Sequence, residues 1–265
     1  MKLSILIPVY NELRYINLLT DKLFHSFKNE DAEYIFINDG STDGSKEWLE
    51  NFSKKNQNKN ITFINLDKNQ GKGMALREGL KASIGDYILF QDSDLELDPQ
   101  DSYEMYKIIK NDSKIDCLFG TRYLSGKIKK NNNFINEIVG KINSIIFNFL
   151  FHQSVSDVHC GTKIISKNVK NKINLSINDF GFEIDLATQI VKNNFDIFEY
   201  GISYFARTVD GGKKITWIDG FKSYYYLFKT RFIDNSISTQ FSIFYSVSYM
   251  LYIGSFFGLG LGKLL

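Results

Sequence analysis

The sequence has few of the residues that cross-link small secreted proteins or hold zinc. It contains two cysteines, Cys117 and Cys160, and three histidines among 265 residues. Two thiols are too few for a disulfide scaffold, so a reducing compartment is expected, and the spacing of these residues does not match a zinc site. The formal net charge of +2 gives no strong overall field for nucleic acid. The first apolar run, Leu3–Val9, is too short for a signal-peptide core and predicts a strand.

Charge is absent from one long stretch, residues 235–262. A bilayer-spanning helix needs about 20 apolar residues. The basic residues Lys222, Lys229 and Arg231 precede this stretch, as is usual on the cytoplasmic side of a membrane helix. We therefore predict a single membrane helix at 235–262, with a buried or interfacial helix as the alternative. The basic aromatic segment 216–234 is expected either at the membrane interface or on the flank of the domain.

Proline is equally scarce, and both prolines, Pro8 and Pro99, stand where an apolar run gives way to a polar loop or a helix start. Residues 1–215 alternate between short, continuous apolar runs and helical patterns. This alternation predicts an α/β domain with a mostly parallel central sheet and helices on both faces. The predicted strands are Leu3–Val9, Tyr34–Ile37, Ile61–Leu66, Tyr87–Phe90 and Cys117–Phe119.

Acidic residues crowd the end of the fourth predicted strand, at Asp92, Asp94, Glu96 and Asp98. Alternate side chains of an extended chain point the same way, so these carboxylates would repel one another. Asp98 before Pro99 is explained as a helix N-cap. Asp92 and Asp94 are not, and we predict that they share Mg²⁺ or Mn²⁺, with Glu96 as a third oxygen ligand.

Two other loops follow strands and are rich in glycine. Asp39 ends the second strand, where an exposed carboxylate could accept hydrogen bonds from a nucleobase. Lys72 stands in a Gly-Lys-Gly sequence before a helix, whose N-terminus favours anions, although a flexible turn would explain the glycines equally well. Since ligands bind at the carboxyl ends of parallel strands, these loops predict one binding site.

The same motifs resemble those of family 2 glycosyltransferases of the GT-A fold, in order and spacing. They are Leu6–Glu12, Asn38–Gly44, Gly71–Gly73, Asp92–Asp94 and Gly120–Tyr123. The second half is similar to dolichyl- and polyprenyl-phosphate sugar synthases in Ser156–Lys163, Gly181–Glu183 and Phe205–Lys214. This resemblance implies a GT-A domain, a nucleotide-sugar donor and a divalent metal.

The resemblance also implies roles for individual residues. The nucleoside would be held by Pro8, Tyr10, Glu12 and Asp39, and the metal and diphosphate by Asp92, Asp94 and Glu96. The donor diphosphate or the acceptor phosphate would be bound by Arg122, Ser144, Lys163 and Arg207. The sequence departs from the family pattern at Lys163, where arginine is usual, and at Ala187, where a further acid is often found. Lysine keeps the charge but loses the bidentate geometry of arginine.

The reaction implied is inverting transfer of a sugar from a UDP- or GDP-linked donor to a polyprenyl or dolichyl phosphate at the cytoplasmic membrane face. A phosphate acceptor is already ionised and needs no strong base. If the acceptor were instead a glycan or lipid-linked sugar hydroxyl, Glu183 or Asp185 would be the candidate base. A nucleotidyltransferase would need a longer basic loop after the first strand than Val9–Glu12 provides. A membrane-tethered subunit that binds a nucleotide sugar without turnover is the non-enzymatic alternative.

A helix predicted at Asn136–Phe151 has Ile138, Ile142, Ile145 and Phe149 on one stripe. We expect this stripe to pack in the core, with a lipid-binding groove as the alternative.

Overall fold

The computed structural model describes residues 1–56, 59–124, 126–130, 134–207 and 217–234. The predicted membrane helix at 235–262 therefore lies outside the described residues, as does the whole of Gly211–Lys214. Within these ranges the chain follows the predicted alternation of strands and helices. The strands are β1 Leu3–Val9, β2 Ala32–Asp39, β3 Ile61–Leu66, β4 Tyr87–Phe90, β5 Cys117–Thr121, β6 Lys129–Lys130, β7 Lys163–Ser166, β8 Phe198–Gly201 and β9 Tyr204–Phe205.

The helices lie between these strands and cover the sheet. They are α1 Leu13–Ser26, α2 Ser45–Lys55, α3 Lys72–Ala82, α4 Pro99–Asn111, α5 Phe134–Phe151, α6 Lys167–Lys172, α7 Phe182–Lys192 and α8 Trp217–Phe228, which continues into a π-helical turn at Lys229–Ile233.

Seven strands form one sheet in the order β3-β2-β1-β4-β7-β5-β8. The pairs β1–β2, β2–β3, β1–β4 and β5–β8 are parallel, and β7 runs antiparallel to both of its neighbours, β4 and β5. The mostly parallel sheet is thus confirmed. β7 was not predicted, because Lys163–Ser166 has only two apolar residues between polar ones, whereas all four residues of β4 are apolar. The strand order reverses between β1 and β4, which places a crevice at their carboxyl ends.

Each face of the sheet has its own apolar core. Ile5 and Ile7 of β1 pack on one face with residues of α1, α2 and α4, while Leu6 packs on the other with α3, α5 and α7. This alternation along one strand shows why the strands are continuous apolar runs, since both of their faces are buried.

Helix α5 departs from the prediction of core packing. Phe147 and Phe151 are buried, but Ile145 is 65% and Phe149 76% exposed, and Ile138 and Ile142 are exposed as well. The side of α5 that packs against the rest of the domain includes the polar residues Asn143 and Ser144, which are buried. Among the described helices, α5 alone is long and apolar enough to cross a membrane, a test that core helices also pass. Its apolar stripe is therefore an unburied face of this domain.

Candidate active site

A cavity of about 540 Å³ opens at the carboxyl ends of β1, β2 and β4. The loops after these strands form its floor, α5 and α7 form one wall, and the segment after β9 closes another. Eleven of the predicted site residues line it, which are Pro8, Tyr10, Glu12, Asp39, Lys72, Asp92, Asp94, Glu96, Arg122, Glu183 and Arg207. The cavity thus gathers side chains that are far apart in the sequence, as predicted.

The acidic stretch after β4 is not the extended strand that the alternation predicted. β4 ends at Phe90, and Leu95 adopts a left-handed conformation with φ of 58°. The chain therefore turns, and the backbone N–H of Glu96 donates to Oδ1 of Asp94 at 3.1 Å. Asp98 caps α4 by accepting from the N–H of Gln100, as predicted. Asp92 pairs with Lys72, whereas Asp94 and Glu96 both contact Arg207. The acidic stretch therefore forms a turn and not one face of a strand.

Lys72 neutralises two acids at once. Its Nζ lies 2.6 Å from Oδ1 of Asp92 and 2.9 Å from Oε1 of Glu183. Burial opposes the charge on Lys72, but the two carboxylates outweigh it and raise its pKa. The amino end of α3 itself is partly filled, because the N–H of Met74 donates to the carbonyl of Asn178. The lysine side chain is therefore the cationic group that this loop brings to the cavity.

Arg207 connects the end of the loop after β1 with the acidic loop after β4. Its guanidinium contacts Glu12 at 3.0 Å and Asp94 at 3.0 Å, and its backbone N–H donates to Glu96 at 2.8 Å. Burial and the charges of Asp92 and Glu96 raise the pKa of Asp94 to about 7, although Arg207 acts in the opposite direction. This cluster holds more negative charge than its cations neutralise.

The donor set at Asp92 and Asp94 fits a divalent metal. Within the described ranges, no three His, Cys, Asp or Glu side chains are arranged as a metal site. Two cationic side chains stand against the two carboxylates instead, Lys72 on Asp92 and Arg207 on Asp94. Hard oxygen donors of this kind are those that Mg²⁺ and Mn²⁺ prefer. Glu96 is turned toward the hydroxyl of Tyr204 at 3.1 Å, so its role as a third ligand stays a prediction.

Asp39 is buried, contrary to the expectation of an exposed carboxylate. Its two oxygens accept from the N–H groups of Gln70 at 2.7 Å and Gly71 at 2.9 Å. Burial raises its pKa in spite of these bonds. Since the same side chain also lines the cavity, Asp39 fixes the loop after β3 at the edge of the site.

Arg122 is fixed by a buried acid. Its Nε and Nη2 donate to the two oxygens of Asp157 at 2.7 and 2.8 Å, and Asp157 is fully buried. Burial opposes ionisation of Asp157, but the guanidinium outweighs it and lowers the pKa of the carboxyl. Such a bidentate pair orients Arg122 along the cavity wall.

Three other predicted residues lie behind the cavity lining. Lys163 is fully buried and donates to Glu183 and to the carbonyl of Cys160. Ser144 accepts from the N–H of Val158, and Asp185 accepts from two backbone N–H groups. Glu183 and Asp185, the candidate bases for a hydroxyl acceptor, are both buried. Lys163 therefore supports Glu183 from behind.

The sequence reasoning missed several polar residues of the cavity, among them Asn143 and His159. Nδ2 of Asn143 lies 3.0 Å from Nε2 of His159. Asn143 is a polar residue of a predicted helix and belongs to no motif. His159 lies two residues after Asp157, and its distance in the sequence from other histidines, cysteines or acids matches no known site. Only the fold, which packs α5 against the loop before β7, brings them together.

Comparison with known proteins agrees with this architecture. The family model described as glycosyl transferase family 2 matches residues 4–173. A dolichyl-phosphate beta-glucosyltransferase of Dictyostelium discoideum is 28% identical over 80% of this chain and 68% of its own. A poly-beta-1,6-N-acetyl-D-glucosamine synthase of Staphylococcus aureus is 31% identical over 54% of this chain, which spans only 32% of that protein's length.

Solved structures of glucosyl-3-phosphoglycerate synthase from Mycobacterium tuberculosis share the fold. The complex with Mn²⁺, UDP and glucosyl-3-phosphoglycerate aligns with a TM-score of 0.67 at 17% identity, covering 89% of this chain and 81% of that one. A complex with Mg²⁺ and UDP aligns with a TM-score of 0.66. The GT-A fold is thus confirmed. Because the family model spans more than half of the sequence, this chain belongs to glycosyl transferase family 2 and is a glycosyltransferase.

Proposed function

We propose that the protein transfers a sugar from a nucleotide sugar to a polyprenyl or dolichyl phosphate at the cytoplasmic face of a membrane. The observation that carries this proposal is the position of α5, which lines the cavity with one side and exposes apolar residues on the other. Val139, Gly140 and Asn143 of α5 face the cavity. The similarity to a dolichyl-phosphate beta-glucosyltransferase supports the same acceptor class.

The exposed side of α5 is suited to a lipid surface. Its large apolar residues are Phe134, Ile135, Ile138, Ile142, Ile145 and Phe149, and Leu124 and Ile128 before the helix are also exposed. A contiguous apolar patch of this kind is rare on soluble monomers and marks a protein or membrane contact. With the helix at a membrane surface, a lipid phosphate would reach the cavity without leaving the bilayer.

The donor would occupy the side of the cavity formed by β1 and β2. Pro8, Tyr10, Glu12 and Asp39 border the space for the nucleoside, and Asp92 and Asp94 would hold Mg²⁺ or Mn²⁺ beside the diphosphate. The metal, when bound, neutralises charge on the departing nucleoside diphosphate. Lys72 and Arg207 are close enough to these carboxylates to contact the same phosphates.

In the proposed reaction, an oxygen of the acceptor phosphate attacks the anomeric carbon of the sugar. The bond from this carbon to the donor phosphate breaks, and its electrons leave with the nucleoside diphosphate. One displacement inverts the anomeric centre. The phosphate is already ionised at neutral pH, so no protein group has to remove a proton.

The electrostatics favour this acceptor over a glycan hydroxyl, which would need a base. Burial raises the pKa of Glu183, but Lys163 and Lys72 outweigh it, so the pKa is lowered. Asp185 accepts from the N–H groups of Ser176 and Ile177 at 2.7 and 3.0 Å. The lowered pKa of Glu183 does not suit a general base at neutral pH, and the carboxylate of Asp185 is engaged by backbone N–H groups.

The proposed chain organisation keeps the predicted boundaries. Residues 1–215 form the catalytic domain, 216–234 the basic aromatic segment next to the membrane, and 235–262 a membrane helix. α8 supports an intermediate position for the second segment, because Leu227 and Ser223 are buried while Tyr225 and Phe228 are exposed. The segment thus covers the flank of the domain and still presents aromatic side chains outward.

The test is transfer of labelled sugar from UDP-glucose, other UDP-sugars and GDP-mannose to polyprenyl phosphate in detergent, with Mn²⁺ or EDTA. We expect metal-dependent labelling of the lipid by the wild type and its loss in Asp94→Asn. Asp86→Asn, remote from the cavity, is the matched control. Donor binding without lipid labelling would reject the lipid-phosphate acceptor and favour a glycan hydroxyl.

A second test addresses α5 directly. Phe149→Gln should raise KM for long-chain polyprenyl phosphate and leave KM for a short, water-soluble isoprenyl phosphate unchanged. Ile84→Gln is the control, because Ile84 is 61% exposed at the opposite end of β4. Equal KM values for the long-chain acceptor in both variants would contradict the proposed role of this face.

A further inference from the structure

Asn143 and His159 form a polar pair in the wall of the cavity that the proposed reaction does not yet use. Asn143 is 1% exposed, and its Nδ2 lies 3.0 Å from Nε2 of His159. Along α5, Val139 and Gly140 line the cavity without a polar side chain, and the next polar lining residue is Asn136, about two helical turns away. The pair is therefore the hydrogen-bonding feature of this part of the wall.

One polar atom of Asn143 has no partner. Its buried Oδ1 makes no hydrogen bond with any residue that the structure describes. Rotating the amide by half a turn would place Oδ1 against His159 and leave Nδ2 alone instead. A buried amide atom without a partner is costly, so either orientation leaves a group that a ligand can satisfy.

The pair is neutral and so suits an uncharged ligand. Burial lowers the pKa of His159 to about 4, and the charge of Asp157 opposes this shift only in part. A neutral imidazole offers one donor and one acceptor nitrogen, and an amide offers both kinds of atom. A sugar hydroxyl, which donates and accepts, matches this set better than a phosphate does.

The pair also lies close to the reacting groups. His159 stands on the loop between Asp157, which holds Arg122, and Gly161, whose Cα faces Asp92 so closely that an added Cβ would collide with the carboxylate. The sugar of a bound donor has to lie beside the diphosphate that Asp92 and Asp94 would hold. The pair is thus positioned at the sugar end of the donor.

We propose that Asn143 and His159 form a subsite that binds a hydroxyl of the transferred sugar and selects the donor by it. This inference rests on the donor half of the proposed function, a nucleotide sugar in this cavity, and not on the lipid acceptor. The hydroxyl completes the hydrogen bonds of Asn143, so a donor without that hydroxyl leaves the amide unsatisfied again.

The test is equilibrium binding to the full chain in detergent with Mn²⁺, using UDP-glucose, GDP-mannose, UDP and GDP. The nucleotide sugar that binds the wild type more tightly is then compared with its monodeoxy analogues. We expect one deoxy analogue to bind about tenfold more weakly, the loss that one hydrogen bond of ordinary strength produces. If every analogue binds like the parent sugar, or if neither nucleotide sugar binds differently from its nucleoside diphosphate, the subsite is rejected.

Variants then assign the effect to this pair. Asn143→Leu, of similar volume, should bind the nucleotide sugar about tenfold more weakly, keep the affinity for the nucleoside diphosphate, and no longer distinguish the deoxy analogue. His159→Gln keeps a neutral donor and acceptor and should retain most of the discrimination, whereas His159→Leu should lose it. Equal losses for nucleotide sugar and nucleoside diphosphate, or discrimination kept in both leucine variants, would overturn the proposal.

Because no acceptor is present, failure of lipid labelling leaves this test unaffected. Conversely, lipid labelling that proceeds with a deoxy donor as fast as with its parent, at low donor concentration, would contradict the subsite while leaving the acceptor proposal intact.

Discussion

The Lys72→Met variant examines the electrostatics of the site. In the wild type the ammonium of Lys72 contacts Asp92 at 2.6 Å and Glu183 at 2.9 Å, and its side chain is only 14% exposed. Removal of one partner from a buried ion pair costs about 3 to 5 kcal/mol. Glu183 keeps Lys163 and Asp92 is partly exposed, so we expect the lower limit, about 3 kcal/mol. For a chain of this size that corresponds to a fall in Tm of about 9 °C.

Divalent metal should reverse part of this loss. If Asp92 holds a metal as proposed, Lys72 competes with that metal in the wild type, whereas in the variant the carboxylate is left without the lysine. Mn²⁺ without nucleotide should therefore raise the Tm of Lys72→Met more than that of the wild type, because a ligand that binds only the folded state stabilises it. Thermal unfolding in detergent with Mn²⁺ or EDTA measures both effects.

The matched control is Lys81→Met, which removes a lysine paired at 2.6 Å with Glu78 on the surface of α3. Its side chain is 71% exposed, so the change should alter stability by less than about 1 kcal/mol. The reasoning would be refuted if Lys72→Met unfolded at the wild-type temperature, or if Mn²⁺ stabilised all three proteins equally.

Three further changes test other parts of the site. Gly161→Ala should weaken Mn²⁺-dependent nucleotide binding at least about tenfold, because the new Cβ would displace the carboxylate of Asp92, whereas Gly126→Ala meets nothing within 4 Å and should bind normally. Equal affinities would contradict the close approach. His159→Gln should remove part of the acid sensitivity of folding. The pKa of His159 is about 4 in the folded chain and near 6.5 unfolded, so its contribution is complete above pH 6.5 and falls as the pH drops toward 4. Between pH 7 and 5 the wild type should lose about 2 kcal/mol more than the variant in urea unfolding, and parallel losses would show that His159 binds its proton equally well in the folded and the unfolded chain. Asp157→Asn should lower the free energy of unfolding by about 3 kcal/mol, since it removes the only carboxylate paired with the guanidinium of Arg122 among the described residues. A loss below about 1 kcal/mol, the value of an exposed ion pair, would contradict this geometry.

The order of elements was readable from the sequence because it depends on local patterns. Strands buried on both faces need continuous apolar runs, so β1, β3 and β4 were predicted with the bounds that the structure has. The loops at their carboxyl ends must meet at one edge of a parallel sheet, and for this reason Asp39, Lys72 and Asp92 could be assigned to one site in advance.

The partners of the side chains could not be predicted in this way. Alternate spacing suggested an extended stretch of acids, but a turn at Leu95 interrupts it. The sharing of one ion by Asp92, Asp94 and Glu96 stays a prediction. Local pattern likewise assigned the apolar stripe of α5 to the core, because periodicity shows that a helix has an apolar face and not what covers it. The structure leaves Phe149 exposed.

The sequence by itself therefore determined the fold class, the family and the edge of the sheet where the site lies, since these follow from periodicity and from motifs of adjacent residues. Only the tertiary structure decided the pairing of Lys72 with Glu183, of Arg207 with Glu12 and of Asn143 with His159. Contacts between residues far apart in the chain depend on how helices pack against the sheet, and no local pattern encodes that packing.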